Sequence, residues 1–342
     1  MDDEVLIPYP RVAAFVRQHT HDVRNFLNGL DLEASLAAFA RLANEYAVSP
    51  LAGEAYFHVA EDQYNKKTYE EALKTYTLAK QKAPAGELGE KSTYKLGWAN
   101  YQLKLYEPAF KEFAEQLEKY PQGPLANDAT FMKAESLFKL AKYQEALPIF
   151  QAAMKVKASN PAMEVLTLLH GGQTASQLKQ YDLAVQILAE IPTKFPDSPY
   201  VAEALYESGY AKHKAGKPDD AIKDYSVATE KSRNEVGARA RFMLGEVYFE
   251  QKKYTEAIRE FQRGMYSFGG DNAPAEVKPW QAKCGYEAGR CSEVQIAAAA
   301  DAAAKAKLLA DARKYYSFVA EKHGETPVGI EAKKRIEVLS KL

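Results

Sequence analysis

Little in this sequence lends itself to chemistry. Its 342 residues include only two cysteines and six histidines. Cys284 and Cys291 are seven residues apart on what reads as one helix. That is roughly 10 Å of rise, too far for a disulfide between them. A zinc site would need more ligands, so two small buried thiols are expected. No apolar stretch reaches the roughly 20 residues that a membrane-spanning helix requires. Neither charge dominates: 45 basic and 46 acidic residues leave a formal net charge of −1. That balance argues against a nucleic-acid footprint and against an electrostatic membrane anchor. Met1-Asp2-Asp3-Glu4 lacks the charged-then-apolar pattern of an export signal. As written the chain is expected to be soluble and cytoplasmic, or periplasmic if an export signal has been removed. No phosphate-binding Gly-x-x-x-x-Gly-Lys-Ser/Thr motif occurs. No nucleophile, base and orienting group converge by motif, so no catalytic, cofactor-binding or metal-binding residue is expected.

What the sequence does contain is repetition, on a composition 46% hydrophobic and 27% charged that can build a continuous core. The pattern is Tyr, two residues, Ala, an aliphatic, two residues, an aromatic. It appears as Tyr69-Ala72-Leu73-Tyr76, Tyr106-Ala109-Phe110-Phe113 and Tyr143-Ala146-Leu147-Phe150. It continues as Tyr181-Ala184-Val185-Leu188, Pro218-Ala221-Ile222-Tyr225 and Tyr254-Ala257-Ile258-Phe261. Weaker copies flank these, Leu32-Ser35-Leu36-Phe39 before and Leu309-Ala312-Arg313-Tyr316 after. With the small residue as anchor, the intervals are 37, 37, 37, 38, 37, 36 and 55 residues.

Anchor and aromatic, four apart, share one helical face. About twelve residues before each anchor stands another small residue: Ala60, Gly97, Ala134, Gly172, Gly209 and Gly245. A glycine inside a helix costs roughly 1 kcal/mol relative to alanine, so its recurrence needs a compensating gain. Close approach of two antiparallel helices supplies one, with the small residue of the first helix expected to meet the anchor of the second. Proline-bearing junctions at 119–124 and 194–199 end one repeat and open the next.

These residues resemble the tetratricopeptide repeat family. Leu96-Gly97, Ala109, Phe113 and Pro121 fall at the family's spacing, as do Leu244-Gly245, Tyr248, Ala257 and Phe261. The period exceeds the family's usual 34 by about three residues. That longer junction is similar to bacterial cell-envelope members, such as outer-membrane assembly lipoproteins and Tol-Pal-associated coordinators. The resemblance implies an all-α superhelical solenoid of about eight antiparallel helix pairs, TPR-like over residues 31–326, with 327–342 as a capping helix. Ile330, Ile336 and Leu339 mark that cap. The 18 residues by which the last interval exceeds the period are assigned to the alanine-rich run 297–304, as an extension of helix 276–308 or a helical insertion.

Stacked hairpins leave an inner surface, lined mostly by first helices, that can hold a peptide or partner subunit. An aromatic ladder runs along those helices: Phe57 and Tyr64, Tyr94 and Tyr101, Phe131 and Phe138, Phe242 and Phe249, with Tyr206 paired to His213. Trp98 and Tyr210 lie nearby. In the family these slots border the groove that receives the partner. The candidate partner-binding residues are therefore Phe57, Tyr64, Tyr94, Trp98, Tyr101, Tyr206, Tyr210, Phe242 and Phe249. Tyrosines are the better candidates, because their hydroxyls want water or a partner. Phe131 and Phe138 read as core. Lys91, Lys139, Lys214 and Arg239 are candidate polar clamps. The ladder breaks at Leu169 and Ser176, beside His170-Gly171-Gly172, which is similar to an esterase oxyanion fragment but reads as a kink or a very close helix contact.

The N-terminal segment, residues 1–30, in which 10–29 read as the first helix of repeat one, carries a second resemblance. His21, Asp22, Arg24 and Asn25 match in order the phosphoacceptor box of sensor histidine kinases, although the nucleotide-binding boxes of such kinases are missing. The expected function is a non-catalytic scaffold or adaptor that binds another protein. The alternative is a signalling protein in which His21 accepts a phosphoryl group and the repeats choose the partner.

Overall fold

A computed structural model describes residues 32–157 and 161–342. His21 and the rest of segment 1–30 lie outside the described residues. The helical period carries through the whole described chain, and no strand occurs among the described residues. The helices are α1 (Leu32–Glu45), α2 (Ala52–Asn65), α3 (Tyr69–Lys82), α4 (Gly86–Gln102), α5 (Tyr106–Lys119), α6 (Ala126–Lys139) and α7 (Tyr143–Ala153). Then come α8 (Pro161–Gln177), α9 (Tyr181–Leu188), α10 (Glu190–Lys194), α11 (Val201–Lys214), α12 (Pro218–Lys231) and α13 (Glu235–Glu250). Last are α14 (Tyr254–Tyr266), α15 (Lys278–Glu293), α16 (Ala302–Lys322) and α17 (Pro327–Leu339). Two compact units divide the chain between His170 and Gly171, inside α8.

In the six close copies of the pattern the second helix of the hairpin starts at the repeated Tyr or Pro, and its anchor alanine is fully buried. The aromatic one turn on fills the hairpin. Tyr76, Phe113 and Phe150 in the first unit, and Tyr225, Phe261 and Tyr316 in the second, are buried to 1% exposure or less. The glycines of the first helices explain how. A methyl placed on Gly97 would stand 2.7 Å from the Phe113 ring, and one on Gly245 would stand 2.5 Å from Phe261. The small residue therefore faces the aromatic four positions beyond the anchor, not the anchor alanine that the spacing suggested. The ring needs the space that an absent Cβ leaves. Gly172 does the same for Leu188, so the paired glycines mark close packing within an unbroken helix. Pro192 explains a different break: it cannot donate to Leu188, and the second helix there splits into α9 and α10.

The turn inside each hairpin has a uniform geometry that the residue types conceal. Lys67, Lys104, Ala141, Lys179, Gly216 and Lys252 each stand five residues before an anchor, and each has a positive φ. Around Lys104 the N–H of Leu105 reaches Asn100 O at 2.9 Å, and the N–H of Lys104 reaches Tyr101 O at 2.9 Å. This is the left-handed Schellman ending, which satisfies carbonyls that the helix end leaves open. Only one of the six positions is glycine, so five carry the cost of a Cβ in the left-handed region. Lys104→Gly is expected to raise stability by about 0.5–1 kcal/mol, the relief of φ strain outweighing the entropy of a freer unfolded chain. Thermal melts check this; an unchanged or lower melting temperature contradicts it.

The C-terminal excess resolves differently from the expectation. Gly289, not a residue near 300, takes the glycine slot, with Tyr316 packed on it at 2.7 Å from a would-be Cβ. Gly289 follows Gly245 by 44 residues instead of the usual 37, and Ala312 follows Gly289 by 23 instead of 12. The insertion is thus two insertions, seven residues before α15 and eleven inside the following hairpin. A single helix over 276–308 does not form. Helix α15 ends at Glu293, a 3-10 turn covers Ile296–Ala298, and Asp301 caps α16 by accepting from the Ala304 N–H at 2.7 Å. Helix α17 then covers the last hairpin with Ala332 and Leu339, both fully buried, whereas Ile330 is 48% exposed.

Candidate protein-binding face

In the first unit, first helices of consecutive hairpins bring side chains to one recess of about 300 Å³. Tyr64 comes from α2, Tyr94, Lys95 and Trp98 from α4, Phe131 from α6, and Met163 and Leu166 from α8. Helical spacing accounts for the gathering. Tyr94 and Trp98 are four apart and touch edge to face at 6.3 Å, and Trp98 meets Tyr101 at 6.0 Å. Tyr94 is nevertheless mostly core: it is 8% exposed and packs on Phe113 at 5.8 Å. Its hydroxyl is pushed up to about 12, chiefly by burial. Trp98 and Tyr64 are only half-buried and form the walls, while buried Phe131 joins Tyr94 on the inner side. Phe138, expected as core, is half-buried and lies flat on the His170 ring at 4.8 Å. Phe57 packs on Tyr76 at 5.8 Å, outside the recess lining.

A row of polar contacts joins successive first helices beside these rings. Glu61 accepts from Lys95 at 2.9 Å and from the Tyr76 hydroxyl. Glu135 accepts from the Tyr101 hydroxyl at 2.8 Å and pairs with His170 Nδ1 at 2.6 Å and with Lys139 at 3.3 Å. Burial alone would raise the Glu135 carboxyl, but its bonds to His170 and Tyr101 and the charges of His170 and Lys139 together hold it below the ordinary value. Lys139 is exposed but already paired along its own helix, and Lys91 pairs with Glu87 at 2.5 Å.

The second unit repeats the theme with cations stacked on rings. The Arg239 guanidinium lies 4.2 Å from the Tyr206 ring, Lys283 lies 4.0 Å from Trp280, and Phe242 contacts Trp280 at 5.7 Å. Lys214 stands over Tyr210 at 5.6 Å, and Arg290 over Phe249 at 4.1 Å. Tyr206 is buried, and Tyr210, Phe242 and Phe249 are half-buried. Gln173 donates to Glu207 at 3.2 Å, continuing the pattern of polar contacts between neighbouring first helices.

Beneath Phe249, Glu246 is raised to about 7 by burial first and then by neighbouring Glu287; Arg290 and His213 offset part of this and Glu250 adds to it. A carboxyl raised on folding favours the folded chain below its unfolded value and loses that contribution as pH rises to about 7. Stability should therefore fall from pH 5 to pH 8 by on the order of 2 kcal/mol through this group, after allowance for the solvent that reaches it. Glu246→Gln should flatten that slope in denaturant titrations at the two pH values. An unchanged slope would refute the assignment. The thiols of Cys284 and Cys291 nearby are buried, free and pushed well up by burial.

Sequence reasoning missed Lys95, Met163, Leu166, Trp280 and Lys283. Leu166 stands one turn before Leu169, where the ladder was thought to break, so the 3.6-residue period could have found it. Trp280 was hidden because the double insertion displaced the last first-helix from its expected slot.

Paired helices repeating at a fixed period, with apolar side chains gathered along their first helices, define a helical-repeat protein. Tetratricopeptide-repeat family models match residues 167–198 and 202–275, so these two segments carry tetratricopeptide repeats. Among solved structures, it is similar to a tetratricopeptide repeat protein from Parabacteroides merdae, at 15% identity over 79% of this chain and 99% of that one, with a TM-score of 0.50. It also matches YrrB, described as a TPR protein with an unusual peptide-binding site, at 19% identity over 57% of this chain and 92% of that one, with a TM-score of 0.48. Pseudomonas aeruginosa PilF matches at 16% identity over 72% and 97%, with a TM-score of 0.47. At 15% identity the likeness to the Parabacteroides merdae protein is one of fold. No curated protein matches the chain significantly.

Proposed function

We propose that the protein is a scaffold that holds a peptide segment of a partner protein against the first-helix face of its first unit. The observation that carries this reading is the recess walled by Tyr64 and Trp98. A half-buried Trp and Tyr around an apolar hollow are the side chains that dominate interface energies elsewhere. The hollow suits one bulky apolar side chain of an extended segment, while Lys95 at its margin can meet a carbonyl or carboxylate of that segment. Tetratricopeptide-repeat proteins are generally non-catalytic adaptors, which fits a chain whose polar clusters are spent on contacts between neighbouring helices. The longer proline-bearing junctions make a cell-envelope partner the first to seek.

The test is a displayed peptide library panned on the whole chain, with selected peptides titrated against wild type and Trp98→Ala. Enrichment of peptides with a shared bulky apolar residue, weakened by Trp98→Ala, is expected. Peptides that bind wild type and variant equally would refute the site.

A further inference from the structure

The seven-residue insertion before α15 builds something that the other repeat junctions lack. Gly269 and Gly270, both at positive φ, turn the chain into a short 3-10 segment, Gly270–Asn272, that folds back over the start of α15 and the end of α16. Gln281, 3% exposed, fixes this turn by donating to Met265 O at 3.1 Å and to Gly270 O at 3.0 Å. Between the turn and the two helices lies a recess of about 190 Å³. Lys278 enters it from α15, Lys322 and His323 from the end of α16, and Asp271 from the turn, with Tyr266 and Phe318 as its apolar side.

The charges in this recess are unbalanced. Lys322 and Asp271 pair at 2.8 Å. Lys278 is exposed and has no side-chain partner among the described residues, so one positive charge is left over. The Lys322 ammonium keeps two of its three donors, because Asp271 takes only one. His323, half-buried between the lysines, would add a further charge on protonation. The volume is roughly six times the ~30 Å³ share of a liquid water, enough for an anion of a few heavy atoms. Lysines act as point-charge donors that suit a tetrahedral oxyanion, and no arginine fork is among the residues that line the recess.

We propose that this recess is a binding site for a tetrahedral oxyanion, either free phosphate or the phosphate group of a monoester. Lys278 and Lys322 supply the charge, His323 donates from its protonated ring, and Asp271 is the competitor that an anion displaces from Lys322. Burial, and then Lys278 and Lys322, hold the His323 imidazole below its ordinary value. An anion between the lysines reverses that effect, so binding takes up a proton and tightens as pH falls. Lys333, on α17, faces Glu325 at 3.9 Å, and Glu321, outside the recess lining, also acts on Lys322.

Sulfate is the probe for the pH dependence, because its own charge stays fixed across neutrality, and calorimetry with the full chain is the measurement. Saturable binding at one site is expected, stronger at pH 6 than at pH 8. Lys278→Gln should weaken it on the order of tenfold, about 1.4 kcal/mol. Asp271→Asn should tighten it by freeing Lys322, and His323→Gln should remove the pH dependence. All three positions are solvent-accessible, and a melting curve on each variant confirms folding. Phenyl phosphate binding more tightly than inorganic phosphate assigns the site to a monoester whose organic part lies on Phe318; equal affinities assign it to the free anion. Absence of saturable sulfate and phosphate binding, or equal affinity in wild type and Lys278→Gln, overturns the proposal.

Discussion

Phe113→Ala is expected to cost about 3–5 kcal/mol, the range for removing a buried phenylalanine ring. Phe113 is fully buried in the hairpin of α4 and α5. It fills the hollow over Gly97, where no Cβ exists to close the gap once the ring has gone. It also supports Tyr94, which packs on it at 5.8 Å, and shares a core cluster with Phe131 and Met132 of the next hairpin. The loss should therefore spread to the neighbouring hairpin, since repeat stability is largely a sum of nearest-neighbour terms. Denaturant unfolding followed by circular dichroism reads the effect. A loss below about 1 kcal/mol would mean that the glycine–aromatic contact is not the keystone of the hairpin.

That contact also shows which features were readable in the residues alone. The period, the helix pairs and the small-residue slots follow from spacing, because a helix repeats every 3.6 residues and a buried ring needs a small neighbour. The partner of the glycine was misjudged as the anchor alanine because spacing gives the face but not the height at which two helices cross. The left-handed turns at Lys67, Lys104, Lys179 and Lys252 left no trace, since lysine is not a residue that announces positive φ. The double insertion around α15 was read as one, because the interval between anchors sums the two. Among the candidate binding residues, Tyr64, Tyr94 and Trp98 gather at one recess, while Tyr206, Tyr210, Phe242 and Phe249 meet cations in the second unit.

Partner affinity should fall by on the order of 2 kcal/mol in Trp98→Ala, roughly thirtyfold in dissociation constant. Trp98 walls the recess, in contact with Tyr94 and Tyr101, and part of its indole remains open to solvent. Such a ring loses little packing inside the fold when it is truncated but leaves an entering side chain without its largest contact surface. Tyr64→Ala should act in the same direction with a smaller effect, because its ring is already shared with Tyr69 and Tyr76. Tyr94→Ala should differ in kind, losing melting temperature together with affinity because the ring is core. The separation of the two effects is the sign that a binding wall, and not general unfolding, has been removed. Equal losses of stability in all three variants would assign the cluster to the core.

The two tryptophans, Trp98 and Trp280, lie in different units, which makes the central claim directly measurable. In a Trp280→Phe variant all indole emission comes from the recess. Titration with a library-selected peptide is expected to shift that emission to the blue and to protect it from acrylamide, with the same midpoint as calorimetric binding. A peptide that binds by calorimetry while Trp98 emission and quenching stay unchanged would contradict the account.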